Sequence, residues 1–234
     1  MAFRTLAATV LIAALSPAPA GAAATVASFA VTPSTTQAGA SPNLVAAFSF
    51  TEPATGVKTI ALGLPAGFTA QAHAIQFCAR KNLARNLCQP RTKAGSLSIT
   101  AIAYGFDLAV TREIYNVRPL RAERLRLGLP ITGSYSHPGI AAEVAFVARP
   151  SDGGLDMTLT GLPTEVANVP VRIKDVKLRL RGTGRVKVGK KVRRQPFLTN
   201  PALCAPATSS LQLTLYEAPT APLTSFSSFT PTGC

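Results

Sequence analysis

The sequence predicts an all-β protein, an antiparallel β-sandwich of the Ig-like kind with about ten strands. Three observations carry that reading. Apolar and polar residues alternate with period two over much of the chain beyond Thr25. Nineteen Pro and 17 Gly, scattered without a repeat, divide the chain into short segments. Only 72–87, around the first two cysteines, has room for more than a turn of helix.

The strands follow in order. After a segment at 26–32, Leu44, Ala46, Phe48 and Phe50 share one face of an extended chain. Segments 57–63, 96–103 and 107–117 come next. Leu125, Leu127 and Leu129 then form an apolar face, with Arg124 and Arg126 pointing the other way. Ile140, Ala142, Val144 and Phe146 repeat the pattern, as do Leu155, Met157 and Leu159, and later Leu211, Leu213 and Leu215. The strand at 171–181 carries a phase slip. Val171 and Ile173 share a face, but the pattern resumes at Val176, Leu178 and Leu180, so one inserted residue near Lys174-Asp175 predicts a β-bulge. No composition shift marks a linker, and residues 25–234 read as a single sandwich module, with two abutting subdomains as the alternative.

The first 24 residues read as a signal peptide. Arg4 precedes an apolar run from Leu6 to Leu15, and small residues follow, with Ala22-Ala23-Ala24 or Ala18-Pro19-Ala20 fitting a peptidase site. The run is too short to span a bilayer, and no later stretch reaches the roughly 18 apolar residues a span requires. The chain is therefore expected to be exported, either secreted or associated with the cell envelope, without a transmembrane segment in its mature form.

Four cysteines, Cys78, Cys88, Cys204 and Cys234, are an even number in an exported chain and predict two disulfides. Of three pairings, Cys78–Cys88 with Cys204–Cys234 is expected, because each closes a loop within one half of the chain. Loop closure is worth about 3 kcal/mol for the first and nearer about 4 kcal/mol for the second. The spacing lacks the close Cys-x-x-Cys pairs of a zinc site, so no metal is expected there.

The charge is strongly lopsided: 24 Lys+Arg against 10 Asp+Glu, a formal net charge of +14. Residues 171–194 hold 11 of these cations, with Asp175 the only acid. Arg181, Arg185, Lys187, Lys190, Lys191, Arg193 and Arg194 crowd into 14 positions. Gly182-Thr183-Gly184 and Gly189-Lys190 offer turns, so the stretch reads as a hairpin with a cationic edge. Contact with a polyanion is one reading: a teichoic-type polymer, anionic lipid head groups, acidic polysaccharide or extracellular DNA. An edge hairpin kept soluble and unpaired by its charges is the other. Aromatic residues that stack on bases are absent from 171–194, which argues against specific nucleic-acid recognition.

Catalytic signals are sparse. No Gly-x-Ser-x-Gly elbow occurs, and His73 and His137 are the only imidazoles, with no second His at ligand spacing. Ser134, Ser136 and His137 lie close together but alternate in direction on an extended chain. Asp152-Gly153-Gly154-Leu155-Asp156 lacks the oxygen density of a calcium loop and reads as a glycine turn. Gly182-Thr183-Gly184 lacks the helix that a phosphate loop opens. Leu129-Pro130-Ile131-Thr132-Gly133 matches a wall-sorting pattern in letters only, because about a hundred residues of strand pattern follow it. No catalytic residue, cofactor or metal is expected.

Gln195-Pro196-Phe197-Leu198-Thr199-Asn200-Pro201, followed by Cys204, resembles a recurring Pro-Phe-Leu-Thr-Asn-Pro…Cys signature of secreted β-rich modules from high-GC actinobacteria. Leu64-Pro65-Ala66-Gly67, the spaced Cys78 and Cys88, Ala94-Gly95-Ser96, Ile114-Tyr115-Asn116 and Thr230-Pro231-Thr232-Gly233-Cys234 agree in order, so the resemblance spans about 60–234. It implies export and a β-rich fold, carries no assigned activity, and supports pairing of the closing Cys234 with Cys204. Relatives with several such modules suggest scaffolding or adhesion; this chain carries one. On physical grounds, Pro196 and Pro201 block regular pairing, while Phe197 and Leu198 act as plugs that pin this loop to the fold.

The expected function is a non-enzymatic module, structural or adhesive, contacting anionic envelope polymers through the basic hairpin. The alternative is a secreted hydrolase or carbohydrate-active protein with a loop-built site. The absence of Trp, with Tyr104, Tyr115, Tyr135 and Tyr216 the only tyrosines, argues against an aromatic sugar platform.

Overall fold

The computed structural model describes residues 24–130, 141–160, 164–166 and 169–234. The expected signal peptide up to residue 23, Ile140, Ile131-Thr132-Gly133 and the group Ser134, Ser136 and His137 lie outside the described residues. Strands β1 (Val26–Pro33), β2 (Leu44–Thr55), β3 (Val57–Gly63) and the short β4 (Thr69–Ala70) lead into one short helix, α1 (Arg80–Ala84). The chain continues through β5 (Lys93–Ala103), β6 (Phe106–Val117), β7 (Glu123–Pro130), β8 (Ala141–Ala148) and β9 (Leu155–Thr160). Two short strands follow, β10 (Glu165–Val166) and β11 (Val169–Pro170), then β12 (Arg172–Leu180). The hairpin strands β13 (Thr183–Val188) and β14 (Lys191–Pro196), the short β15 (Leu198–Thr199), β16 (Ala207–Leu215) and β17 (Leu223–Phe229) complete the chain.

The all-β, antiparallel class is as the alternation predicts, and α1 falls inside 72–87. The sandwich does not form. Eleven strands make one sheet, ordered β1-β2-β12-β5-β6-β7-β8-β9-β3-β16-β17, which curls until its edges meet as a nearly closed barrel. At the seam the Val31 amide donates to the Ser227 hydroxyl at 2.9 Å. Just beyond, the Thr232 amide donates to the Thr36 carbonyl and the Ala38 amide to the Thr232 carbonyl, at 2.9 and 2.8 Å. Curling hides the edges that an open sheet would expose. Period two reports that one face is buried, and both a sandwich and a barrel satisfy it. The eleventh strand, β17, escapes the alternation rule because Ser225, Ser227 and Ser228 replace most of its apolar residues.

Burial follows the pattern that each strand's sequence sets. Leu44, Ala46, Phe48 and Phe50 are buried, with half-buried residues between them. Leu125 and Leu127 of β7 are buried, and Arg124 is exposed. The bulge falls where the phase slip puts it: β12 shifts register between Ile173 and Asp175 against both of its neighbours. Apolar side chains line the inside, while Lys177, Arg179, Arg124 and Arg126 leave the outer face. That polarity is the reverse of a membrane-spanning barrel around an aqueous lumen. No helix among the described residues is long and apolar enough to cross a membrane.

One end of the barrel is stoppered. Phe68, just before β4, and Ala72, Ala74 and Ile75, between β4 and α1, join Phe197 and Leu198 in the same buried cluster as Leu44, Leu125 and Leu180. The plug is held by the Asn116 side-chain amide of β6, which donates to the Ala72 and Ile75 carbonyls at 2.8 and 2.6 Å. Phe197 and Leu198 are 0% and 1% exposed, as expected of loop plugs. Asn200 continues the clamp by donating to the Thr35 and Gln37 carbonyls.

Both disulfides pair locally, Cys78–Cys88 with a Cα separation of 5.5 Å and Cys204–Cys234 with 5.7 Å. The first anchors α1, whose Leu83 packs with Cys78 and Val117 on the outside of the wall. Gly128 of β7 lies beneath, and a Cβ there would collide with the Leu83 side chain. Arg80 of α1 reaches Glu143 of β8, and Glu143 and Glu123 both bind Arg126, so a charge network ties the helix to the barrel.

Candidate functional site

The predicted cationic hairpin forms as a separate two-stranded sheet, with Thr183 opposite Pro196 and Val188 opposite Lys191. Its turn is Gly189-Lys190, where Gly189 takes a left-handed φ of 62° that glycine adopts without strain. Gly182-Thr183-Gly184, also read as a turn, is not one. Gly182 and Gly184 are small because the hairpin base is pressed against other backbone. A Cβ on Gly182 would meet the Ser41 and Pro42 carbonyl oxygens, and one on Gly184 would meet the Ala74 carbonyl. The base is further fixed by the Gly182 amide donating to Asn43 Oδ1 at 3.0 Å and the Arg181 amide donating to the Ala94 carbonyl at 2.9 Å.

All seven predicted cations are exposed, but they do not form one patch. Arg181, Arg185 and Arg194 line a cleft of about 480 Å³ at the foot of the hairpin. Lys187 leaves the strand on the same face as Arg185, farther toward the tip. Lys190 sits in the turn, and Lys191 and Arg193 project from the opposite face. The cleft gains two cations that no local charge run marks, Arg91 and Lys93. The 3-10 turn Pro90–Thr92 carries Arg91 there and leads directly into β5, which carries Lys93.

One of the cleft's five cations has an acidic partner among the described residues. Lys93 is paired with Glu113 across the β5–β6 ladder. Arg91, Arg181, Arg185 and Arg194 have no carboxylate at ion-pair distance among the described residues. Arg185 and Arg194 also face each other directly across the hairpin, an arrangement that costs stability in the absence of an anion. Four guanidiniums around one polar cleft suit multidentate contact with phosphate, sulfate or carboxylate oxygens.

The other candidate groups have structural duties. His73 packs edge-to-face on Phe77 with ring centroids 5.4 Å apart. Asp152 and Asp156 are both held by Arg149, at 2.8 and 2.7 Å. The Asp152 carboxylate also accepts the Gly154 amide, which fixes the glycine turn. Asp152 accordingly titrates below its ordinary value, chiefly through its hydrogen bond with Arg149. Comparison with known protein families, curated proteins and solved structures finds no match.

Proposed function

We propose that this protein is a non-enzymatic module of the cell exterior that binds an anionic envelope polymer through the cleft and hairpin. One observation carries the reading: Arg91, Arg181, Arg185 and Arg194 converge on a cleft of about 480 Å³, with no carboxylate at ion-pair distance among the described residues. A phosphodiester or uronate polymer supplies repeated anions at spacings that engage the cleft first and then Lys187 and Lys190 along the hairpin. Paired local disulfides support residence in an oxidising compartment.

The test is co-sedimentation of the disulfide-bonded protein with isolated cell envelopes over a salt series. Binding is expected to fall steeply as salt rises. The triple variant Arg91→Gln, Arg185→Gln, Arg194→Gln should lose it, while Lys58→Gln, outside the hairpin and cleft, should not. No binding at low salt would reduce the hairpin's charges to edge protection.

A further inference from the structure

The unpaired cations of the cleft are all of one kind. Arg91, Arg181, Arg185 and Arg194 are arginines, and the cleft's lysine, Lys93, is the cation that has an acidic partner, Glu113. Toward the hairpin tip the composition reverses, with Lys187, Lys190 and Lys191 beside Arg193. Diffuse attraction to a polyanion needs charge alone, which lysine supplies as well as arginine. A guanidinium adds a rigid planar fork that matches two oxygens of one oxyanion. The cleft is thus built for a compact group, and the tip for long-range attraction.

The four forks come from separate segments that backbone contacts hold in place. The Arg181 amide donates to the Ala94 carbonyl at 2.9 Å, which sets Arg181 beside Lys93. Thr92 closes the turn that carries Arg91, its amide and hydroxyl both donating to the Gln89 carbonyl, at 2.9 and 2.7 Å. Arg185 and Arg194 are paired across the ladder, and the Gly184 backbone between Arg185 and the foot of the hairpin is seated on the Ala74 carbonyl. All ten Asp and Glu fall among the described residues, and none forms an ion pair with these four arginines. Asn43 adds a polar side chain to the lining, and no lining residue is aromatic, so nothing there stacks on a base or a sugar. The recognised part of the ligand is therefore the oxyanion itself.

Charge decides between oxyanions. A carboxylate brings one charge and two acceptor oxygens. A phosphate monoester brings about two charges on three oxygens. Two phosphoryl groups joined through one oxygen bring more of both in a single compact unit, which suits four guanidiniums around one cleft. We propose, on the reading of the cleft as an anion site, that it binds the pyrophosphate group, as the free ion or as an end group of an envelope molecule.

The experiment titrates the disulfide-bonded protein with pyrophosphate, phosphate and acetate at constant ionic strength, without divalent cations, by calorimetry and amide NMR. Saturable binding of pyrophosphate is expected, about tenfold tighter than phosphate, with shifts at Thr183 and Gly184. Acetate should not saturate. Arg185→Lys keeps the charge and removes the fork, so it should weaken pyrophosphate about tenfold. Lys187→Gln, on the same strand but outside the cleft, should leave pyrophosphate binding unchanged. Equal affinity for pyrophosphate and acetate would overturn the proposal, as would unchanged pyrophosphate affinity in Arg185→Lys. Envelope binding that persists in either case leaves the polymer reading standing alone. Pyrophosphate binding by a protein that ignores envelopes upholds the pyrophosphate site and removes the polymer. Excess pyrophosphate that strips the protein from envelopes identifies the end group as the source, and binding without displacement identifies the free ion; both uphold the proposal.

Discussion

Arg185 and Arg194 stand directly opposite each other across the β13–β14 ladder, two like charges at a position where sheets prefer opposite ones. The hairpin therefore gives up stability at the site that supplies half of the cleft's guanidiniums. Stability and anion binding are coupled with opposite signs there.

Arg185→Glu converts the repulsive pair into an attractive one. It is expected to stabilise the hairpin by about 0.5 kcal/mol and at the same time to abolish envelope binding. Urea unfolding and co-sedimentation on the same preparation check both signs. A variant that gained stability and kept its binding would remove the cleft from the function.

Asn116→Leu tests the stopper. The replacement keeps the branched shape but strands the Ala72 and Ile75 carbonyls, which now accept the Asn116 amide hydrogens. A cost of about 1–3 kcal/mol is expected from unpaired buried acceptors, seen as a lower urea midpoint. Hydrogen exchange should quicken in 72–78 before it does in β2 or β12.

Acid should weaken the fold through Glu123. Its carboxyl is held below the ordinary range, first by hydrogen bonding to Arg126 and then, against a desolvation penalty, by the Leu120 amide at 2.8 Å. A depressed folded-state pKa contributes stability above the unfolded value of about 4.3, and that contribution is lost as pH falls through the folded value. Asp152 acts with the same sign through Arg149. The melting temperature is expected to drop as pH is lowered from about 5 toward 3. Arg126→Met should lower it at neutral pH, by leaving Glu123 unpaired at 10% side-chain exposure and Glu143 with Arg80 as its one partner, and should flatten the acid slope. A variant with an unchanged slope would show that Glu123 does not carry the effect.

The disulfides should reduce in order. Cys204 and Cys234 are both exposed, whereas Cys78 is 4% exposed beneath α1. Thiolate attack requires access, so graded reductant is expected to open Cys204–Cys234 first. Losing it should cost about 4 kcal/mol, and losing the shorter loop about 3 kcal/mol. Alkylation and peptide mass mapping at intermediate reductant would read the order directly.

Much of this protein was legible from local pattern. Alternation placed ten of the eleven main strands, and the phase slip located the bulge at Ile173–Asp175. The spacing of the cysteines anticipated their pairing, and Phe197-Leu198 between prolines read as a plug. Each depends on neighbours along the chain, where period, steric restriction and loop length act. Three things were decided only in the tertiary structure. The curl that brings Val31 to Ser227, 196 positions apart, turns a predicted sandwich into a barrel. The packing of β13–β14 on residues 72–74 brings Arg181, Arg185 and Arg194 into one cleft with Arg91 of the Pro90–Thr92 turn. Phe106, Leu108 and Val110 of β6 are exposed although they stand opposite the inward-facing Ala103, Ala101 and Ile99 of β5. All three follow from which distant segments come together. A period-two pattern says only that a strand has an inside face, because many registers bury that face equally well.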